Sequence, residues 1–224
     1  MRSKRTGSRL IPRSLSDTAN RKGQRGDIYN PKKKGRGSHS PLLIFLNRSK
    51  YVVHPWNRPG NVVSWNNIMG FFESTWQRIH RHIAIRGIIA DSGFYLREFI
   101  ELLERRGLIY IVAARRYRPL QRMLYAQQNW QQIEERIWIT EFFFQHVDWA
   151  TDWRFIAVRQ DIKRRPHAMG KELSLFGKDY DMGNYRYSVW ITNPPDPAYE
   201  VWRQRRSRAT DENTIKELNE DFAL

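Results

Sequence analysis

A chain of 224 residues is long enough for one sizeable domain, or for one domain carrying an insertion. Hydrophobic residues at 40%, aromatics at 13% and 9 Trp exclude a wholly disordered chain, and the lack of cysteine excludes disulfides, thiol catalysis and Cys-based zinc sites. With 39 Lys and Arg against 23 Asp and Glu, the formal net charge of +16 points to a polyanion partner, most often nucleic acid. A basic ribosomal-type protein and a membrane-surface binder share that charge signature. Apolar runs such as Leu42–Leu46 and residues 108–114 are too short to cross a bilayer, and no apolar signal segment opens the chain. The expectation is a reducing, cytoplasmic setting without a membrane.

Residues 1–40 are rich in Lys, Arg, Ser and Gly, show no apolar periodicity, and read as a basic, poorly ordered loop or tail. From Pro41 the texture changes. Residues 42–46 and 51–54 are two short strands joined across Asn47-Arg48-Ser49-Lys50, as in a hairpin. Pro55, Pro59 and Gly60 interrupt, and Ser64 is placed to cap a helix whose Ile68, Phe71, Phe72, Trp76 and Ile79 follow the helical period. Residues 87–90 read as a buried strand ending in Asp91-Ser92-Gly93. Ser92 then caps a helix with Tyr95, Leu96, Phe99, Leu102 and Leu103 on one face, and Arg97 lies one helical turn before Glu101. Gly107 stops that helix, and the apolar run 108–113 suits a strand buried on both faces. Strand, helix and strand at this spacing make a right-handed parallel βαβ unit, whose sites form beyond the carboxyl ends of its strands. Asp91 occupies that position.

From about 118 the pattern changes again. Residues 138–144, 153–159 and 185–192 are aromatic and β-branched with partial alternation, and read as antiparallel strands joined by polar turns such as 179–184. The segment from about Pro197 is helical. On it Arg205, Arg208, Glu212, Lys216 and Asn219 recur at three- and four-residue spacing and share one face, beside an apolar stripe of Ile215, Leu218 and Phe222. Glu212 reads either as an i,i+4 ion-pair partner of Arg208 or as a metal ligand among arginines. Asp91 reads either as a turn and capping residue or as a site carboxylate. His39, His54, His80, His82, His146 and His167 show no metal-binding pair at helical spacing, and His80 and His82 read as surface residues.

Five blocks then occur in order: "YNPKKKGRGSHSPLLIFL" (29–46), "RPGNVVS" (58–64), "ADSGFYLREFIELLERRGLIYIVAAR" (90–115), "DYDMGNYRYSVWITN" (179–193) and "RATDENTIKELNEDF" (208–222). Together they resemble the DDE transposases of bacterial insertion sequences, in the branch whose glutamate lies on a tyrosine-arginine-glutamate-lysine helix. The resemblance implies an α/β fold: a ribonuclease H-like mixed sheet with flanking helices, interrupted by a β-rich insertion before the last helix. It implies three acidic residues that bind two divalent ions, Mg²⁺ or Mn²⁺, for cutting DNA at transposon ends and joining it to a target. Asp91 matches the second acid and Glu212 the third. Asp17 is the nearest counterpart of the first, with Asp27 a poorer one, although no apolar strand is apparent upstream of Tyr29. Of the helix signature, Arg208 and Glu212 match, whereas Arg205 and Asn219 stand where the family has tyrosine and lysine, with Lys216 one turn before that lysine.

The resulting expectation divides the chain into a basic segment (1–40), a first core part (41–115), a β-rich insertion (116–196) and a closing helix (197–224). Asp91 and Glu212 are the expected catalytic and metal-binding acids. Arg205, Arg208, Lys216, Lys32, Lys33, Lys34 and Arg36 are the expected DNA contacts. The expected partner is DNA, at transposon ends and target, with homodimerisation left open and no small-molecule substrate. The start and end also suggest a truncated, catalytically defective member. The competing reading is a non-catalytic nucleic-acid-binding protein, either an inhibitor of full-length transposase or a basic RNA-associated protein.

Overall fold

The computed structural model describes residues 6–12, 15–16, 38–39, 42–46, 51–56, 67–147, 149–161 and 185–206. The chain forms two compact units, one containing the described residues up to Ala113 and those from Arg203, the other Ala114–Trp202.

The first unit contains β1 (Thr6–Pro12), β2 (Leu15–Ser16), β3 (Ser38–His39), β4 (Leu42–Leu46), β5 (Val52–Trp56), α1 (Ile68–Ile79), β6 (Ile85–Ala90), α2 (Arg97–Arg105) and β7 (Ile109–Ala113). Its sheet runs β5-β4-β1-β6-β7, and β2 and β3 form a separate short ladder. β4 is antiparallel to both β1 and β5, whereas β6 is parallel to both β1 and β7, so the sheet is mixed.

β1 corrects the expectation of loop or tail over residues 6–12, where the chain supplies the middle strand of this sheet. Its sequence TGSRLIP has a single apolar pair, Leu10-Ile11, and no alternation, so a pattern search passes over it. Backbone pairing on both edges defines it instead: Ser8 to Pro12 register against Leu46 to Leu42, and Ser8 to Leu10 against Ile88 to Ala90. Pro12, with no N–H to donate, is its last residue.

The hairpin of β4 and β5 forms as the sequence indicates, with Leu42, Ile44 and Phe45 buried. α1 buries Ile68, Phe71, Phe72 and Ile79 of the expected stripe, while Trp76 is half-buried. Its N-cap is Asn67 in a left-handed conformation (φ 56°), while Ser64 lies outside the described residues. The βαβ unit is parallel, with Ala90 beside Val112. α2 starts later than expected, however. Ser92 opens a three-residue 3-10 turn (Ser92–Phe94) rather than capping the helix, and α2 begins at Arg97 behind Leu96. The cause is local: the Asp91 carboxylate takes the Gly93 N–H, which tightens the chain for one turn before a regular helix is possible. Arg97 and Glu101 form the expected pair at 3.2 Å, and Gly107 ends the helix at φ 61°.

The aromatic core joins these elements. Phe99 is fully buried, edge-on to Phe72 at 5.3 Å and tilted against Phe94 at 5.6 Å. Arg106 ties the end of α2 to α1, donating to both Glu73 carboxylate oxygens at 2.7 Å and lying 4.6 Å over the Trp76 ring.

His54 on β5 packs against α1 and gives the unit an acid-sensitive contact. Its ring stacks on Phe71 at 4.9 Å, and its Nδ1 lies 2.5 Å from Thr75 Oγ1. The Thr75 hydroxyl already donates to the Phe71 carbonyl at 2.8 Å, so Nδ1 carries the hydrogen and donates to Oγ1. Burial, and then the charge of Arg78, holds the imidazole below its usual pKa of 6.5. Unfolding therefore takes up a proton over this range. Stability contributed by the neutral ring is intact above pH 6.5 and is lost progressively as the pH falls from there toward the lowered folded value. His54→Gln is expected to flatten the decline of the thermal midpoint over this acidic window relative to wild type, measured by circular dichroism at stepped pH.

The second unit contains α3 (Arg118–Ala126), β8 (Gln131–Glu134), β9 (Ile137–Phe144), β10 (Trp153–Asp161) and β11 (Tyr185–Thr192). The order is β11-β10-β9-β8, with antiparallel pairings throughout, as the aromatic runs indicate. α3 was not foreseen: it buries only Leu120 and Leu124, one helical repeat too few for a legible stripe. On β10, Arg159 stacks over Trp130 at 4.6 Å, Tyr185 at 4.8 Å and Trp138 at 5.4 Å. α4 (Ala198–Arg206) begins in this unit, with Val201 and Trp202 buried, and its last four residues belong to the first. No helix among the described residues is long and apolar enough to cross a membrane.

Candidate functional site

Asp91 directly follows β6, the second of three parallel strands. Its preceding residue, Ala90, is fully buried and registers with Leu10 on one side and Val112 on the other. Buried apolar residues in β6 and β7 thus carry the chain to an edge where the half-buried Asp91 is the first polar group. Its Oδ1 accepts the Gly93 N–H at 2.8 Å and the Ser92 hydroxyl at 3.2 Å. Among the described residues no hydrogen bond or ion pair engages Oδ2. The carboxylate therefore caps the turn through Oδ1.

The other expected acids are not brought to it within the described residues. Glu212 and Asp17 both lie outside them, as do Arg208, Lys216, Lys32, Lys33, Lys34 and Arg36. Arg205 is described: it sits in the last turn of α4 and is half-buried. β1, which ends beside Asp91, contributes Leu10, Ile11 and Pro12 there and has no carboxylate anywhere in its length. A two-ion clamp needs several hard oxygen ligands converging on one point. Among the described residues no three His, Asp or Glu side chains converge in that way, and Asp91 has one oxygen already occupied. These residues by themselves do not fit a pair of metal ions.

Two arginines that the sequence reading passed over organise the second unit. Arg154 donates to the carbonyl of Pro194, to the carbonyl of Asp196 at 2.8 Å and to Glu141 Oε2 at 2.7 Å. Arg159 fills the aromatic cluster described above, and burial raises the pKa of the neighbouring Tyr187 hydroxyl. The available signal was the pair of arginines flanking the apolar run FIAV in WRFIAVRQD, where an unpartnered charge is costly.

A family model described as transposase DDE domain group 1 matches residues 19–224. The chain belongs to the DDE transposases. No curated protein matches it. DDE transposases act on DNA and use divalent metal ions, and the mixed sheet with flanking helices is the ribonuclease H-like arrangement of that fold. In this transposase chain the matched span starts beyond β1 and Asp17 and includes Asp27, Asp91 and Glu212.

Proposed function

We propose that this chain is the core of a bacterial insertion-sequence transposase that holds DNA in the cytoplasm but is defective in cutting it. The reading assigns Asp91 and Glu212 as the second and third acids, with Mg²⁺ or Mn²⁺ as the ions of an intact site. Residues 116–196 form the insertion between them. One observation carries the defect: the strand lying beside Asp91, where a partner carboxylate is needed, reads TGSRLIP. Divalent ions would supply charge stabilisation for phosphoryl transfer and would need several carboxylates to hold them, so a site short of one acid would lose most of the rate.

DNA holding does not depend on that carboxylate. The net charge of +16 favours phosphate contacts and counterion release, and Arg205, Arg208, Lys216, Lys32, Lys33, Lys34 and Arg36 are the assigned contacts. The test is binding and cleavage read on the same duplex: retention that weakens steeply with salt, with intact strands in either divalent ion. Absence of binding at low salt would refute the assignment.

A further inference from the structure

The edge of the first unit opposite Asp91 gathers cations. α1 ends at Ile79, and the chain turns through residues 80–84 to reach the amino end of β6. α2 runs back from the Asp91 edge and ends at Arg105, close to the amino end of β7. The two helix ends touch: Arg106 bonds Glu73 and lies over Trp76, and the Trp76 ring stacks on His80 at 5.6 Å with an interplanar angle of 6°. The turn is fixed by backbone bonds from His80 to Trp76 and from His82 and Ile83 to Ile79.

On this ordered frame Arg78, Arg81, Arg86 and Arg105 are exposed, together with His80 and His82. Among the described residues of this edge, neutralising groups are few. Between Glu73 and Glu98 the only acid is Asp91, at the far end of β6. Glu73 is taken up by Arg106, which leaves Glu104, an acceptor of the Tyr110 hydroxyl at 2.9 Å, as an exposed acid beside Arg105 against four exposed arginines. Cations in a last helical turn complement the helix dipole, which accounts for Arg78 and Arg105. It does not account for Arg81 and Arg86, which lie outside both helices.

We infer that this edge is a contact surface for the phosphate backbone of duplex DNA, gripping phosphates other than those that reach Asp91. Guanidinium groups suit it because their planar forks match phosphate oxygens and stay charged at any working pH. The separation is set by the strand: five residues of β6 at the usual rise put Arg86 about 17 Å from Asp91. Phosphates at one edge are therefore not those at the other. The inference rests on the DNA-holding reading above and extends it to a second site.

The test is the salt dependence of binding to a short random-sequence duplex by the full chain and by R78Q/R81Q/R86Q/R105Q. A charge-matched control replaces exposed arginines of the other unit, R116Q/R118Q/R122Q/R186Q. Loss of four phosphate contacts is expected to reduce the log–log salt slope of the first variant by about 3–4. A slope equal to wild type, or one reduced no more than in the control, would overturn the inference while leaving general DNA binding intact. No binding by wild type would overturn both readings. Should the fourfold variant fail to fold, R81Q/R86Q, outside both helices, is expected to lower the slope by about 2.

Discussion

Phe99→Ala is expected to destabilise the first unit by about 3–5 kcal/mol, the range for truncating a buried aromatic in a core that cannot collapse. Phe99 has no exposure, and two aromatic neighbours hold its ring from different elements, Phe72 on α1 and Phe94 in the 3-10 turn. A cavity there is lined by rigid rings that have little freedom to move inward. The effect also reaches the candidate site, because Phe94 lies in the turn that Asp91 caps. Denaturant melts of wild type and variant, compared at their midpoints, measure the loss; Phe99→Leu, which fills most of the volume, is expected to recover more than half of it.

Arg154→Ala is expected to cost about 2–3 kcal/mol, because charge-assisted hydrogen bonds are worth roughly twice neutral ones. Only 13% of the Arg154 side chain is exposed, so its three acceptors are not simply returned to water. Pro194 is buried, and truncation leaves its carbonyl without the guanidinium. Glu141 is 37% exposed and rehydrates, which keeps the cost below that of a fully buried pair. Arg154→Lys cannot span both carbonyls and the carboxylate with one ammonium, so it is expected to restore less than half. Hydrogen exchange should show the loss concentrated in residues 194–202, where the chain leaves β11 and starts α4, with β9 and β10 remaining protected.

The parts of the fold that were legible are those where side-chain pattern and backbone pairing agree. Residues 87–90 and 108–113 are apolar runs separated by a helix that stops at Gly107, and both are parallel strands. The aromatic runs of the second unit announced β9, β10 and β11 by composition alone. β1 was illegible because it is held by hydrogen bonds on both edges, a property that leaves no mark on TGSRLIP. α3 was too short for its two buried leucines to establish a period.

Asp91 shows a different limit. Its place after a buried strand was readable, but only the geometry shows that one of its oxygens caps the turn by accepting the Gly93 N–H and the Ser92 hydroxyl. The basic edge at Arg78–Arg105 escaped notice for a related reason. Its arginines belong to two helix ends and a strand start, and only the packing of Arg106 against Glu73 and Trp76 draws them together.

The most direct test of the central claim is a plasmid-nicking time course with purified chain, wild type beside Asp91→Asn, in Mg²⁺ and in Mn²⁺. Asparagine keeps the acceptor for the Gly93 N–H, so the turn is preserved while the charge is removed. The account predicts plasmid that is bound by both proteins and nicked by neither above the rate of the ion alone. Steady nicking by wild type that Asp91→Asn abolishes would contradict it, and would mean that a first carboxylate reaches Asp91 from elsewhere in the chain.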